Sequence, residues 1–299
     1  MKKHPEISLV MPVYNGVLFL KDAIESILSQ SFEDFEFVIV DDCSTDESIE
    51  IISLFKDPRI ILIKNENNLG IAHSRNIGIK KSTGNLIAFM DNDDLSMKDR
   101  LLKQRDFMCK NPSVDICGTR IKIIDQHGNK IAVAKRKQRN ELLKIALFLG
   151  ETSIAQTSII VRKSFLNKYN LFYDVKYTCA EDYDFLCRCS LFAKMHNLEE
   201  ELVHYRIHPN STSSTKHEKQ KVEARLALKK YLSCLGVPFR KNELQIHYQL
   251  SLPYKQAISL ESLKRWLEEL KQYNKIYHWY SIDLFEEEIN KKYKQLSSI

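Results

Sequence analysis

The chain has 299 residues, of which 43% are hydrophobic, 10% aromatic and 28% charged. That is the make-up of a globular protein with a sizeable core, either one large domain or one domain with a helical extension. Its seven cysteines are odd in number and include no Cys-x-x-Cys pair, which argues against a disulfide framework or a zinc site and for reduced thiols in the cytosol. The net charge of +6 lies wholly beyond residue 215, where 16 Lys and Arg face 10 Asp and Glu. This excess reads either as a solvated helical face or as a contact for anionic lipid or phosphorylated glycan, not for nucleic acid.

The first hundred residues alternate strand and helix. Ile7–Met11 is a strand ended by Pro12, too short an apolar run for a signal peptide. Leu18–Ser29 has helical spacing, and Glu36–Val40 is a strand. Ser44 or Thr45 is expected to cap the next helix. Ile60–Ile63 is a strand, Ile71–Lys81 a helix stopped at Thr83-Gly84, and Leu86–Met90 a strand. Further on, Asp115–Ile124 and Lys130–Ala134 form a hairpin, followed by an exposed basic run, Lys135-Arg136-Lys137. Ala155–Val161 and Leu202–Tyr205 read as strands, and Asp182–Leu191 as a helix. Beyond residue 216 the pattern is helical, interrupted at Gly236-Val237-Pro238 and Leu252-Pro253. No stretch approaches the ~20 apolar residues of a membrane span.

This alternation predicts an α/β fold with a mostly parallel sheet flanked by helices, and ligands beyond the carboxyl ends of the strands. Three strand ends carry polar clusters: Tyr14-Asn15, Asp41-Asp42 and Asp91-Asn92-Asp93-Asp94. Crowded carboxylates repel one another and are stable around a cation, with Mg²⁺ or Mn²⁺ favoured by hard oxygen ligands. Asp42 suits the N–H of a base such as uracil, or serves as a charge at a helix N-terminus. Glu181-Asp182 is either a helix start rich in acids or the home of a general base. His208, just past a strand, is a metal ligand, a phosphate donor or a structural histidine.

Taken together, these strings resemble the family-2 glycosyltransferases of the GT-A fold. Ser8–Asn15, Ser26–Phe32, Val38–Asp46, Asn68–Gly70 with Ser74–Asn76, and Gly84–Asp94 match in order and spacing. Ala180–Tyr183 and Tyr205–His208 extend the resemblance to about residue 215. The chain is most similar to bacterial lipooligosaccharide and capsule transferases, including β-1,3-N-acetylglucosaminyltransferases. The resemblance implies a GT-A domain over residues 1–215, with a nucleotide half to about 110 and an acceptor half from 111, and a helical extension over 216–299.

The resemblance also implies roles. Pro12, Val13, Tyr14, Asn15 and Asp42 would line the nucleotide pocket, with Tyr14 against the uracil and Asp42 accepting its N3–H. Arg75 would lie near the nucleotide or brace the acidic cluster. Asp91, Asn92 and Asp93 would contact the sugar nucleotide, with Asp93, Asp91 and His208 at the metal and Asp182 as base. Two departures stand out: Cys43 replaces a usual glycine and Asn92 a usual small residue. The implied activity is inverting, metal-dependent transfer of a hexose or N-acetylhexosamine from a UDP-sugar to a saccharide or lipid-linked saccharide, in bacterial surface-glycan synthesis. A nucleotidyltransferase making sugar nucleotides and a non-catalytic partner subunit are the rival readings. The expected setting is the cytoplasm, and the aromatics of the basic C-terminal helices, such as Trp266, Trp279 and Tyr277, read either as a membrane contact or as packing within a helical subdomain or a homodimer contact.

Overall fold

A computed structural model describes residues 4–134, 136–251 and 259–298; the expected interruption at Leu252-Pro253 lies outside the described residues. Strands β1 (Ile7–Val13), β2 (Phe35–Asp41), β3 (Ile60–Lys64) and β4 (Leu86–Phe89) form a parallel array in the order β3-β2-β1-β4. The first two are buried along their whole length, as near-continuous apolar runs require in a sheet covered on both faces. Alternation divides the side chains between those faces. Leu9, Met11, Phe37, Ile39 and Ala88 pack with helix α1 (Leu20–Leu28) and with Ile52 of α2 (Ser48–Leu54). Val10, Val38, Val40, Ile87 and Phe89 pack with α3 (Ile71–Lys81). Gly78 lets α3 approach the sheet, since a Cβ there would lie 2.3 Å from Val10 Cγ1.

The helix after β2 starts at Ser48, not at a cap formed by Ser44 or Thr45. Those two residues are held instead by Asn15: its N–H donates to Ser44 Oγ (3.0 Å), and its side-chain oxygen accepts from the Thr45 N–H (2.8 Å). This cross-link ties the loops after β1 and β2 together before the helix begins.

The sheet continues through β5 (Leu95–Ser96), then α4 (Arg100–Lys110), the hairpin β6 (Ile116–Ile124) and β7 (Lys130–Ala134), and α5 (Asn140–Phe148). There follow β8 (Ile160–Arg162), α6 (Lys163–Tyr169), α7 (Glu181–Ser190) and β9 (Met195–Arg206). The full order is β3-β2-β1-β4-β8-β6-β9-β5, with β8 antiparallel to its neighbours and β6 parallel to β9. The strand expected over Ala155–Val161 is cut short. Gln156–Ser158 is a 3₁₀ turn because the Ser158 N–H and hydroxyl both bond the Ala155 carbonyl, at 2.9 and 2.8 Å. The turn aims Gln156 and Thr157 toward the carboxyl ends of the strands.

The C-terminal helices are α8 (Thr212–Thr215), α9 (His217–Cys234), α10 (Lys241–Tyr248), α11 (Leu260–Tyr277) and α12 (Ile282–Ser297). Helices α9 to α12 share one core with the α3 face of the sheet. Phe148 of α5 meets His247, Trp279, Tyr280 and Phe285 with ring centroids 5.3 to 5.7 Å apart. Trp266 is buried and Trp279 donates its indole N–H to the Leu235 carbonyl at 2.8 Å, so both pack inward, while Tyr277 is half exposed. No described helix is long and apolar enough to cross a membrane.

Candidate active site

Two adjoining cavities open at the carboxyl ends of β1, β2 and β4. They share Pro12, Ile71, Asn92, Thr178 and Thr212 as walls. The first, of about 460 Å³, is lined by Val13, Tyr14, Asp42, the 68–72 loop, Lys216 and Lys219. The second, of about 390 Å³, is lined by Arg75, Asp91, Asp93, Arg136, Glu181 and Asp182 among others. Asp42, Asp93 and Asp182 therefore face one continuous cleft, although they come from three distant parts of the chain.

In the first cavity Asp42 is buried. Its Oδ1 accepts from Asn65 Nδ2 (2.7 Å) and the Leu69 N–H (2.9 Å), and its Oδ2 accepts from the Gly70 N–H (2.7 Å). The charge thus serves the N-terminus of α3 rather than that of α2, and Oδ2 keeps a lone pair for a further donor. Tyr14 stands half exposed beside it. Asn15 lies outside both cavities, occupied by Ser44 and Thr45. Gly16 and Asn92 explain each other: a Cβ at Gly16 would meet Asn92 Nδ2 at 2.3 Å. Cys43 holds φ +64°, the left-handed conformation that makes glycine usual at such a position.

The second cavity is built from buried charge. Arg75 is 2% exposed and bridges Asp91 (Nη2 to Oδ1, 2.7 Å) and Glu181 (Nη1 to Oε1, 2.5 Å). Of its two sequence-level roles, the geometry is that of a brace for the acidic cluster. Asp94 turns away from the cavity. It is fully buried and accepts the Arg206 N–H at 2.8 Å, and burial pushes its carboxyl well above the usual range, with Asp93 and Asp91 adding to the rise. Arg206 also donates from Nε to the Asp93 carbonyl at 2.9 Å, pinning the acidic turn to β9. Glu181 is pushed up to about 7 by burial, against the pull of Arg75. Asp182 is likewise raised by burial, with Arg75 opposing and Asp91 reinforcing the shift.

Asp93 Oδ2 lies 3.0 Å from His208 Nε2, and the other ring nitrogen of His208 is buried with no partner. Among the described residues no three His, Cys, Asp or Glu side chains converge as a ready-made metal cage. One oxygen of Asp91 is committed to Arg75. The donor set still fits a cation of the Mg²⁺ or Mn²⁺ kind, which typically takes one or two protein ligands and completes its shell with phosphate oxygens and water.

Several residues at the site give little sequence signal. Arg136 belongs to a run expected to be exposed, yet it lines the second cavity and donates to the Thr152 carbonyl. Burial lowers its pKa while Asp182 opposes that shift. Its neighbour Lys137 pairs with Glu288 of α12, and Lys135 lies outside the described residues. Lys216 and Lys219 reach the first cavity from the start of the tail. A charged run next to a strand end was the available hint for Arg136. The tail residues had none, because their position depends on how α9 packs.

The parallel array with a cleft of paired acids at its carboxyl ends is the architecture expected of the GT-A fold. Residues 8–169 match the family described as Glycosyl transferase family 2. An uncharacterized glycosyltransferase of Methanocaldococcus jannaschii is 37% identical over 231 residues, covering 75% of this chain and 79% of that protein. One from Haemophilus influenzae is 37% identical over 187 residues, 62% of this chain and 72% of its own. The chain belongs to glycosyltransferase family 2 and is a glycosyltransferase enzyme. Among solved structures, S. aureus TarS in complex with UDP superposes with a TM-score of 0.64 at 18% identity, covering 98% of this chain and 90% of that one. A Pyrobaculum calidifontis mannosyltransferase with GDP-Man and Mn²⁺ gives 0.58 at 13% identity, covering 99% and 87%. At these identities the likeness concerns the fold.

Proposed function

We propose that this enzyme transfers a hexose or N-acetylhexosamine, with inversion, from a UDP-sugar to a saccharide or lipid-linked saccharide acceptor. The observation that carries the reading is a shared wall: Asp182 and Asp93, the latter in contact with His208, line one cavity, which opens onto the pocket of Tyr14 and Asp42. The fold's likeness to UDP- and UDP-GlcNAc-bound TarS supports the donor class.

In this reading Tyr14 and Asp42 hold the base, with the free lone pair of Asp42 accepting the uracil N3–H. Asp182 takes the proton of the acceptor hydroxyl. That oxygen bonds to the anomeric carbon as the bond from that carbon to the diphosphate oxygen breaks, and UDP leaves with the bonding electrons. An α-linked donor gives a β-linked product. Asp93 and His208 would hold a divalent cation, whose chemistry when bound is to offset the negative charge of the departing diphosphate. Residues 1–215 serve as the catalytic unit and 216–299 as its extension, acting in the cytoplasm on surface-glycan precursors such as those of lipopolysaccharide or capsule.

A panel of UDP-sugars with Mn²⁺ or Mg²⁺, scored for UDP release, tests this reading without a known acceptor. The expected result is cation-dependent release from at least one donor, abolished by Asp93→Ala. Release that ignores the cation and survives Asp93→Ala overturns the metal assignment. Silence across the panel overturns the donor class.

A further inference from the structure

Glu223 lies on α9, outside the span matched to the family, 41 residues beyond Asp182. It is 8% exposed and points back into the body of the enzyme. Its Oε2 accepts the backbone N–H groups of Thr178 (2.7 Å), Cys179 (2.7 Å) and Ala180 (3.2 Å), while its Oε1 accepts the Thr178 hydroxyl (2.9 Å). One carboxylate thus gathers the donors of three successive residues. Charge-assisted bonds of this kind are roughly twice as strong as neutral ones. Burial works against the charge, but the four donors win, and the carboxyl titrates below the ordinary glutamate range.

The clamped segment is not an arbitrary loop. Ala180 is the N-cap of α7, and Glu181 and Asp182 open that helix. Thr178 forms part of the wall common to both cavities. Cys179 and Ala180 are buried, so their amides have no water to turn to if the carboxylate is removed. The segment would then shift, and the first turn of α7 with it.

We propose that Glu223 is a positioning residue for transfer: the tail helix sets the location of Asp182 by clamping residues 178–180. The proposal rests on Asp182 being the base. A displacement of about 1 Å in a reacting group can cost ~10²-fold in rate, so the clamp should matter to turnover and little to nucleotide binding.

The test is a double-mutant cycle on the full chain, measuring kcat for transfer and Kd for UDP. Glu223→Ala should lower kcat by about 10- to 100-fold and leave the UDP Kd within about threefold. Glu223→Gln, which keeps one amide-accepting oxygen, should recover part of the loss and remain several-fold below the native chain. In an Asp182→Asn background, Glu223→Ala should cost almost nothing more, because there is no base left to misplace. Multiplicative losses in the double variant, or equal losses in kcat and UDP affinity, overturn the proposal and make Glu223 a general structural prop. If Glu223→Ala is too unstable to assay, Glu223→Gln runs through the same cycle. A several-fold fall in kcat absorbed by Asp182→Asn supports the clamp, and an unchanged kcat overturns it. The underlying reading fails separately: if Asp182→Asn alone leaves kcat intact, the base assignment is wrong whatever Glu223 does.

Discussion

The two cavities share walls but are held by different chemistry. In the first cavity, the proposed nucleotide side, the Asp42 carboxylate takes its hydrogen bonds from two backbone amides and Asn65, all within 28 residues of it. In the second cavity, the proposed acceptor side, groups 106 to 115 residues apart in sequence meet: the Arg75 guanidinium with Glu181, the Arg206 backbone N–H with Asp94, and the His208 ring with Asp93. The first arrangement is local and rests on the backbone, so losing one partner leaves most of it intact. The second centres on Arg75, the buried counter-ion of both Asp91 and Glu181, whose removal strands the two acids in a poorly solvated place. Changes on the acceptor side should therefore cost much more, in rate and in stability, than matched changes on the nucleotide side.

The largest effect is expected at Asp182. A positioned general base contributes roughly 10²–10⁴-fold. Asp182→Asn should lose about that in kcat while UDP binding stays put, a split read by steady-state kinetics beside titration with UDP. The pH profile sharpens the point. Burial raises the Asp182 carboxyl above the ordinary aspartate value of 3.8. As the proposed base Asp182 works unprotonated, so kcat should fall as pH drops through a midpoint above 3.8, a limb absent from Asp182→Asn.

Arg75 tests the same contrast through stability. Arg75→Met leaves Asp91 and Glu181 facing each other without their shared counter-ion, and should lower the urea-denaturation free energy by ~3–5 kcal/mol. Adding Glu181→Gln should return part of that loss. Asp42→Asn on the nucleotide side still presents an oxygen to the 69–70 amides, and should cost only ~1–2 kcal/mol. Equal losses at Arg75 and Asp42 would erase the distinction between the cavities.

A third buried group extends the comparison to the seam between the sheet and the C-terminal helices. His247 has no exposure and no acidic partner. Its Nε2–H donates to the Phe148 carbonyl (2.7 Å), and its Nδ1 accepts from the Trp266 indole (3.2 Å), which fixes the neutral tautomer. Burial holds its pKa down to about 4, against 6.5 for a free histidine. Above pH 6.5 both folded and unfolded chains carry it neutral, and its contribution is fully present. As pH falls below 6.5 the unfolded chain takes up a proton that the folded one refuses, so stability drains away until the folded histidine titrates near 4. The gap corresponds to ~3 kcal/mol. His247→Gln should start less stable at neutral pH, and the difference from the native chain should shrink by about that amount across the window.

The same contrast explains what could be read from the sequence. The parallel half of the sheet was legible because its signals are short-range: Val38–Asp42 and Leu86–Asp91 are apolar runs ending in acids, and Ile71–Lys81 is a helix between a glycine turn and Thr83-Gly84. The resemblance to the family added the grouping of Asp42, Asp93 and Asp182. Arg136 reads as exposed in the sequence but lines the second cavity, because its setting depends on β7 and the 152 carbonyl, and nothing in Lys-Arg-Lys encodes either. The 3₁₀ turn at Gln156–Ser158 was read as strand because apolar residues flank it and Ser158 hides a local bond to Ala155. Glu223 gave no signal at all, since one glutamate on a long charged helix looks like any other until the helix is docked.

The smallest predicted change belongs to the nucleotide side and runs in the opposite direction. Cys43 sits at φ +64°, where a Cβ costs roughly 1–2 kcal/mol, and its thiol makes only a 3.7 Å contact with the Glu66 carbonyl. Cys43→Gly removes the backbone strain but gives the unfolded chain more freedom, worth about 0.5–1 kcal/mol against it. The balance favours glycine by up to ~1.5 kcal/mol, visible as a small rise in Tm with UDP affinity unchanged. The framework around Cys43 consists of the Asn15–Ser44–Thr45 bonds and the Asp41–Ser44 bond, none of which uses the Cys43 side chain. A fall in stability would mean that the thiol carries more of the loop than its one weak contact accounts for, and that the nucleotide side is less local than its hydrogen bonds indicate.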